Sequence, residues 1–127
     1  MEALRILLVE DELALLTLLK RYLERNGHSV IACGSAEAAG AAIRDGAWAP
    51  QVLIADETLP GDSGSVLATA LLSEYPELVC VLCSGYPLST DRLPEPLRPR
   101  VTILAKPYLP AMLEGAIGQV LKAPGQL

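Results

Sequence analysis

The chain has 127 residues, 51% of them hydrophobic and 20% charged, and its formal net charge is -5. That composition describes one globular domain over residues 1–127 with a well-covered core, and it excludes disordered and fibrous classes. An acidic balance also argues against direct nucleic-acid binding, which needs a basic patch.

No apolar run approaches the roughly 20 residues that span a bilayer. The opening "MEALRILLVEDE" lacks the basic flank and small-residue cleavage site of a signal peptide, so a cytoplasmic, membrane-free protein is expected.

The elements alternate along the chain. "RILLV" (5–9) is an apolar run of strand length. Residues 12–27 follow with helical periodicity, Leu13, Leu16, Leu19 and Leu23 on one stripe and Gly27 as the stop. "HSVIAC" (28–33) is a second strand, and Ser35 is placed to cap a helix running to about Arg44. "QVLIA" (51–55) is a third strand. Asp62 or Ser63 caps a third helix through "VLATALLSEY", which Pro76 closes. "LVCVLC" (78–83) and "VTILA" (101–105) are the fourth and fifth strands. Pro110 suits the first turn of a last helix through Lys122, and "APGQL" (123–127) reads as a frayed tail.

Five continuously apolar strands separated by helix-length sequence imply an α/β fold with a parallel sheet covered on both faces. One segment resists. "YPLSTDRLPEPLRPR" holds Pro87, Pro94, Pro96 and Pro99, so the fourth crossover helix is expected to be short or irregular. A turn or two fits from Ser89 to about Leu93, with the rest extended or irregular.

"CVLC" has the spacing of a redox or zinc pair, but residues three apart on a strand point to opposite faces. No second ligand pair is at hand, so Cys33, Cys80 and Cys83 read as core thiols. His28, the only histidine, sits at a helix–strand junction and reads as a surface residue; Ser-His and Cys-His catalysis are excluded. Trp48 reads as packing at the amino end of the sheet.

Ligands of open parallel sheets bind beyond the carboxyl ends of the strands. Glu10 and Asp11 follow the first strand, Asp56 the third, Ser84 the fourth and Lys106 the fifth. Three clustered carboxylates repel unless neutralised, and a hard divalent cation such as Mg²⁺ does this with oxygen ligands. Lys106 and Ser84 can contact phosphoryl oxygens, so the set suits phosphoryl transfer. Singly each residue has a bland alternative. Asp11 or Glu12 could be a helix cap, Lys106 a solvated lysine and Ser84-Gly85 a turn.

"LLVEDE", "LIADETLPGDSG", "LCSG" and "AKPY" resemble, in order and spacing, the four signatures of the response regulator receiver domain of two-component signalling. The resemblance implies a flavodoxin-like, three-layer α/β/α sandwich with strand order 2-1-3-4-5. It implies that Asp56 accepts a phosphoryl group from a histidine kinase or histidine phosphotransfer protein. It also implies that Glu10, Asp11, Asp56 and the Thr58 backbone carbonyl hold Mg²⁺, that Ser84 and Lys106 contact the phosphoryl group, and that Lys106-Pro107 is cis. Such a chain is a signalling module that assists its own phosphorylation and dephosphorylation, not an enzyme acting on other substrates.

Two rivals stand beside this reading. A phosphohydrolase of the haloacid dehalogenase type also uses an aspartate after a strand, but needs a second acid where Thr58 stands. A degenerate receiver would serve only as a protein-binding module. The output partner, a homodimer, and a place within a hybrid sensor kinase are left open. Ile103 stands where many receivers carry a switching aromatic, so signalling is expected to use rearrangement of residues 85–100 or another surface. Thr58 and Tyr86 are expected at the pocket mouth, with Tyr86 shielding the acyl phosphate from water.

Overall fold

The computed structural model describes residues 2–122, so the expected frayed tail lies outside the described residues. Five parallel strands, β1 (Arg5–Val9), β2 (Ser29–Cys33), β3 (Val52–Asp56), β4 (Val79–Ser84) and β5 (Val101–Ala105), form one sheet in the order β2-β1-β3-β4-β5. Helices α1 (Leu13–Arg25), α2 (Ala36–Ala42), α3 (Gly64–Glu74) and α4 (Pro110–Leu121) connect and cover them. The flavodoxin-like sandwich implied by the signatures is the fold observed.

Strand alternation explains the two cores. Leu7, Leu53 and Leu82 point to the side covered by α2 and α3, where Ala39, Leu71 and Leu72 meet them. Ile6, Leu8, Ile54 and Val81 point to the other side, against Leu19 and Leu23 of α1 and Leu113 and Ile117 of α4. Each large aliphatic side chain fully buried in this way contributes roughly 1.5–3 kcal/mol.

The helix ends follow side-chain chemistry. Ser35 Oγ accepts the Ala38 N–H at 3.1 Å and starts α2, and Ser63 Oγ, rather than Asp62, accepts the Val66 N–H at 3.2 Å and starts α3. The leucine stripe of α1 is shifted from the expected one. Leu13 is 74% exposed, and Leu15, Leu16, Leu19, Tyr22 and Leu23 face the core.

The proline-rich connection forms no long helix. Thr90–Arg92 makes one 3₁₀ turn, as the residues around Ser89 to Leu93 suggest. Glu95–Arg100 makes a second, where an extended or irregular path was expected. Proline's fixed φ suits a short 3₁₀ turn, and Pro96 falls in its first positions. Arg98 Nε donates to the Leu93 carbonyl at 3.0 Å, while Arg100 donates to the carbonyls of Leu78 and Tyr75, so the segment is pinned at several points.

His28 corrects the surface reading. It is buried, its Nδ1 accepting the Leu4 N–H at 3.0 Å and its Nε2 facing Glu114 Oε1 at 3.1 Å. An acceptor role at Nδ1 places the proton on Nε2, which donates to Glu114. The partners that bury it lie 24 and 86 residues away in sequence. Trp48 packs, half-buried, against the α2/α3 core as expected.

Cys80 and Cys83 fall in opposite cores and all three cysteines are buried free thiols. Burial pushes Cys83 up to about 12 and Cys80 higher still, so neither is a ready thiolate.

Candidate functional site

The carboxyl ends of β1, β3, β4 and β5 converge on one edge of the sheet. Asp56 is the last residue of β3 and Glu10 the first after β1. Carboxylate oxygens of Glu10, Asp11 and Asp56 lie within 4.8 Å of one another. Glu10 and Asp56 are buried, whereas Asp11 is exposed at the rim. Lys106, just past β5, reaches back with Nζ 2.9 Å from Asp56 Oδ2 and 3.4 Å from Glu10 Oε1. Its backbone N–H donates to the Ser84 carbonyl at 2.8 Å, which fixes where the side chain starts. The Lys106-Pro107 bond is cis.

The electrostatics follow from burial and from these neighbours. Burial raises the Glu10 pKa, and Asp56 adds to the rise; the Glu12 N–H, 3.0 Å from Glu10 Oε2, and Lys106 pull the other way. Burial lowers the Lys106 ammonium, but its hydrogen bond to Asp56 and the charge of Glu10 outweigh this and leave it raised. One cation thus serves two buried carboxylates. The donor set is entirely hard oxygen, clustered and short of positive charge, which fits Mg²⁺ better than a softer metal. Asp11 or Glu12 as a helix cap is not what forms: Glu12 sits at the N-cap position of α1 with no side-chain cap bond.

Ser84 ends β4, buried, with its hydroxyl engaged locally. Oγ donates to the Tyr86 carbonyl at 2.7 Å and accepts the Tyr86 N–H at 3.2 Å. Tyr86 and Thr58 are both exposed, and Tyr86 borders an open cleft of about 380 Å³ with Ser84, Ile103 and Lys106. Ile103 is half-buried against the α2/α3 core.

Two further residues shape the site and escape a reading of the sequence. Glu57, next to the acid at the strand end, points to the opposite side of the sheet and is buried. Its Oε1 accepts both the N–H and the Oγ–H of Ser65, at 2.7 and 2.6 Å, and its Oε2 accepts from Arg92 Nη1 at 3.0 Å. Gly64 opens α3 directly against the Asp56 carbonyl, with its N–H donating to the Glu57 carbonyl at 3.0 Å. A hint for Glu57 is a second acid, one place after Asp56, at the end of a strand that opens with four apolar residues, where an unpartnered charge is costly. Gly61, with φ +75°, allows the turn from β3 into α3.

The sheet order, the acid cluster and the lysine coincide with a match of the response regulator receiver domain model to residues 6–117. The chain belongs to the response regulator receiver family.

The response regulator protein FleR of Pseudomonas aeruginosa is 33% identical over 124 residues, covering 93% of this chain and 26% of FleR. The receiver described here therefore spans about a quarter of that relative's length. Among solved structures, a response regulator receiver protein from Sinorhizobium medicae superposes with a TM-score of 0.80 at 28% identity, over 96% of this chain and 97% of that one. The receiver domain of the hybrid histidine kinase CckA superposes with a TM-score of 0.71 at 29% identity, over 93% and 99%. Membership of a two-component signalling family displaces the phosphohydrolase alternative.

Proposed function

We propose that residues 1–127 act as one phosphoacceptor receiver unit in which Asp56 takes a phosphoryl group from the phosphohistidine of a kinase or phosphotransfer protein. The observation that carries this is the 2.9 Å contact of Lys106 with an Asp56 carboxylate grouped with two further acids at the sheet edge. An Asp56 carboxylate oxygen attacks phosphorus, the P–O bond forms as the P–N bond breaks, and the imidazole leaves with the electron pair and takes up a proton. Glu10, Asp11, Asp56 and the Thr58 carbonyl would hold Mg²⁺. When bound, that ion neutralises charge on the phosphoryl oxygens.

Lys106 then pairs with the phosphoryl group, and Ser84 exchanges its bond to the Tyr86 carbonyl for one to a phosphoryl oxygen. That exchange removes one of the bonds at the start of the residue 85–100 connection, which supports a signal carried by that segment in the absence of an aromatic at Ile103. Dephosphorylation reverses the state: water attacks the phosphorus, the bond to the Asp56 oxygen breaks, and inorganic phosphate leaves.

The exposed Leu13 and Leu109 each follow directly in sequence a residue, Glu12 and Tyr108, that lines a shallow cleft beside Lys106, which suits a donor's approach. No helix among the described residues is long and apolar enough to cross a membrane, and a cytoplasmic setting accords with the proposed partners.

The test is mass spectrometry after incubation with acetyl phosphate and Mg²⁺. Wild type is expected to gain one phosphoryl group and Asp56→Ala none. Equal labelling of both proteins, or none of either, would refute the assignment; the latter is what a binding-only receiver predicts.

A further inference from the structure

Glu57 and Arg92 have no part in the chemistry above, yet they join the acceptor strand to the proline-rich connection. The Glu57 carboxylate has three donors, two from Ser65 of α3 and one from Arg92 in the first 3₁₀ turn. It is therefore a fixed, buried anchor. Arg92 is half-exposed, and its guanidinium lies over the ring of Tyr86 with its carbon 5.9 Å from the centroid, within reach of a cation–π contact. Tyr86 in turn holds Ser84 Oγ through its backbone. A continuous chain of contacts thus runs Asp56-Glu57, Arg92, Tyr86, Ser84, and closes on the cleft beside Lys106.

We propose that Arg92, anchored by Glu57, is a positioning residue that holds Tyr86 and the residue 85–93 segment over the phosphoacceptor cleft and so sets the lifetime of the phosphorylated state. The position of Arg92 follows from physics. A connection with prolines at 87, 94, 96 and 99 cannot lock itself by a helical backbone ladder, so side-chain bonds to the rest of the molecule, together with the buried Leu93, hold it. Only one of those bonds leads to the residue next to the acceptor. Guanidinium geometry suits the role, because one edge can engage a carboxylate while the flat face lies on an aromatic ring.

This inference rests on Asp56 being the acceptor, so its test has two arms. In the first, phosphoryl loss is timed by mass spectrometry for wild type, Arg92→Ala, Tyr86→Ala and the double variant. Arg92→Ala is expected to lose phosphate about two- to five-fold faster, the size an exposed cation–π contact supports. The double variant should lose it no faster than Tyr86→Ala alone, since both changes remove one device. Arg92→Lys, which keeps charge but not the planar fork, should restore only part of the lifetime. Fully additive effects, or an unchanged rate in Arg92→Ala, overturn the proposal.

The second arm needs no phosphate: amide hydrogen exchange of residues 85–93 in the unmodified proteins. Faster exchange in Arg92→Ala, confined to that segment, supports the tether, and identical exchange overturns it. A wild-type chain that never gains a phosphoryl group refutes the acceptor assignment and the lifetime role, whatever the exchange arm shows.

Discussion

Replacing Gly64 by alanine would force the first turn of α3 away from the proposed acceptor. A Cβ built there overlaps the Asp56 carbonyl oxygen, stands 3.0 Å from the Asp56 carbonyl carbon and 2.8 Å from Leu82 Cδ1. Carbon atoms in contact sit about 3.5–4.0 Å apart. Helix and strand must therefore separate by on the order of 1 Å, or Leu82 must leave its rotamer while the backbone still yields. Overpacking of this kind costs about 1–3 kcal/mol. For a domain of this size each kcal/mol lowers Tm by roughly 3–5 °C, giving a fall of about 3–15 °C.

The same movement displaces Asp56 relative to Lys106, and a misplacement of about 1 Å can cost on the order of 100-fold in a positioned reaction. The assay is thermal unfolding by circular dichroism together with the rate of labelling by acetyl phosphate. Gly115→Ala on α4 is the control, because nothing lies within 4 Å of its added Cβ and alanine favours the helix. The reasoning fails if Gly64→Ala melts within about 1 °C of wild type and labels at the same rate.

Three other outcomes are expected. His28→Ala strands the Leu4 N–H and leaves a void, and should cost about 2–4 kcal/mol in urea unfolding while leaving the labelling rate of the folded protein unchanged. Glu10→Gln should raise the metal-free Tm at pH 7 while weakening Mg²⁺ affinity. The folded Glu10 carboxyl binds its proton more tightly than the unfolded chain's, whose ordinary value is 4.5, so rising pH favours unfolding through the window above 4.5. The advantage of the glutamine should therefore shrink as pH falls toward that value, and a pH-independent difference in Tm would contradict it. Lys106→Ala leaves Glu10 and Asp56 facing one another without their shared cation. It should slow phosphorylation by acetyl phosphate about ten-fold or more, and an unaltered rate would remove Lys106 from the site.

Much of the architecture was legible because burial on both faces of a parallel sheet demands apolar runs with no alternation, and "RILLV", "VLIA", "VCVLC" and "VTILA" obey it. The candidate site was legible because Glu10, Asp56, Ser84 and Lys106 each fall where a strand ends, and strand ends share one edge. Local rules failed where tertiary partners decide. Leu13 fits the stripe of α1 by spacing but is the first residue of the helix and stays exposed. His28 is polar and follows a helix stop, yet two distant groups satisfy it and draw it inside. Glu57 and Arg92 are ordinary charged residues 35 positions apart, and their pairing depends on how the proline-rich connection folds back.

The three thiols give the molecule an internal clock. Cys33, Cys80 and Cys83 are shielded from solvent and form no disulfide, so a thiol-directed reagent can react only when the interior opens. Because Cys80 and Cys83 lie on opposite sides of one central strand, their relative rates of modification would tell whether the two halves breathe together or one layer lifts before the other.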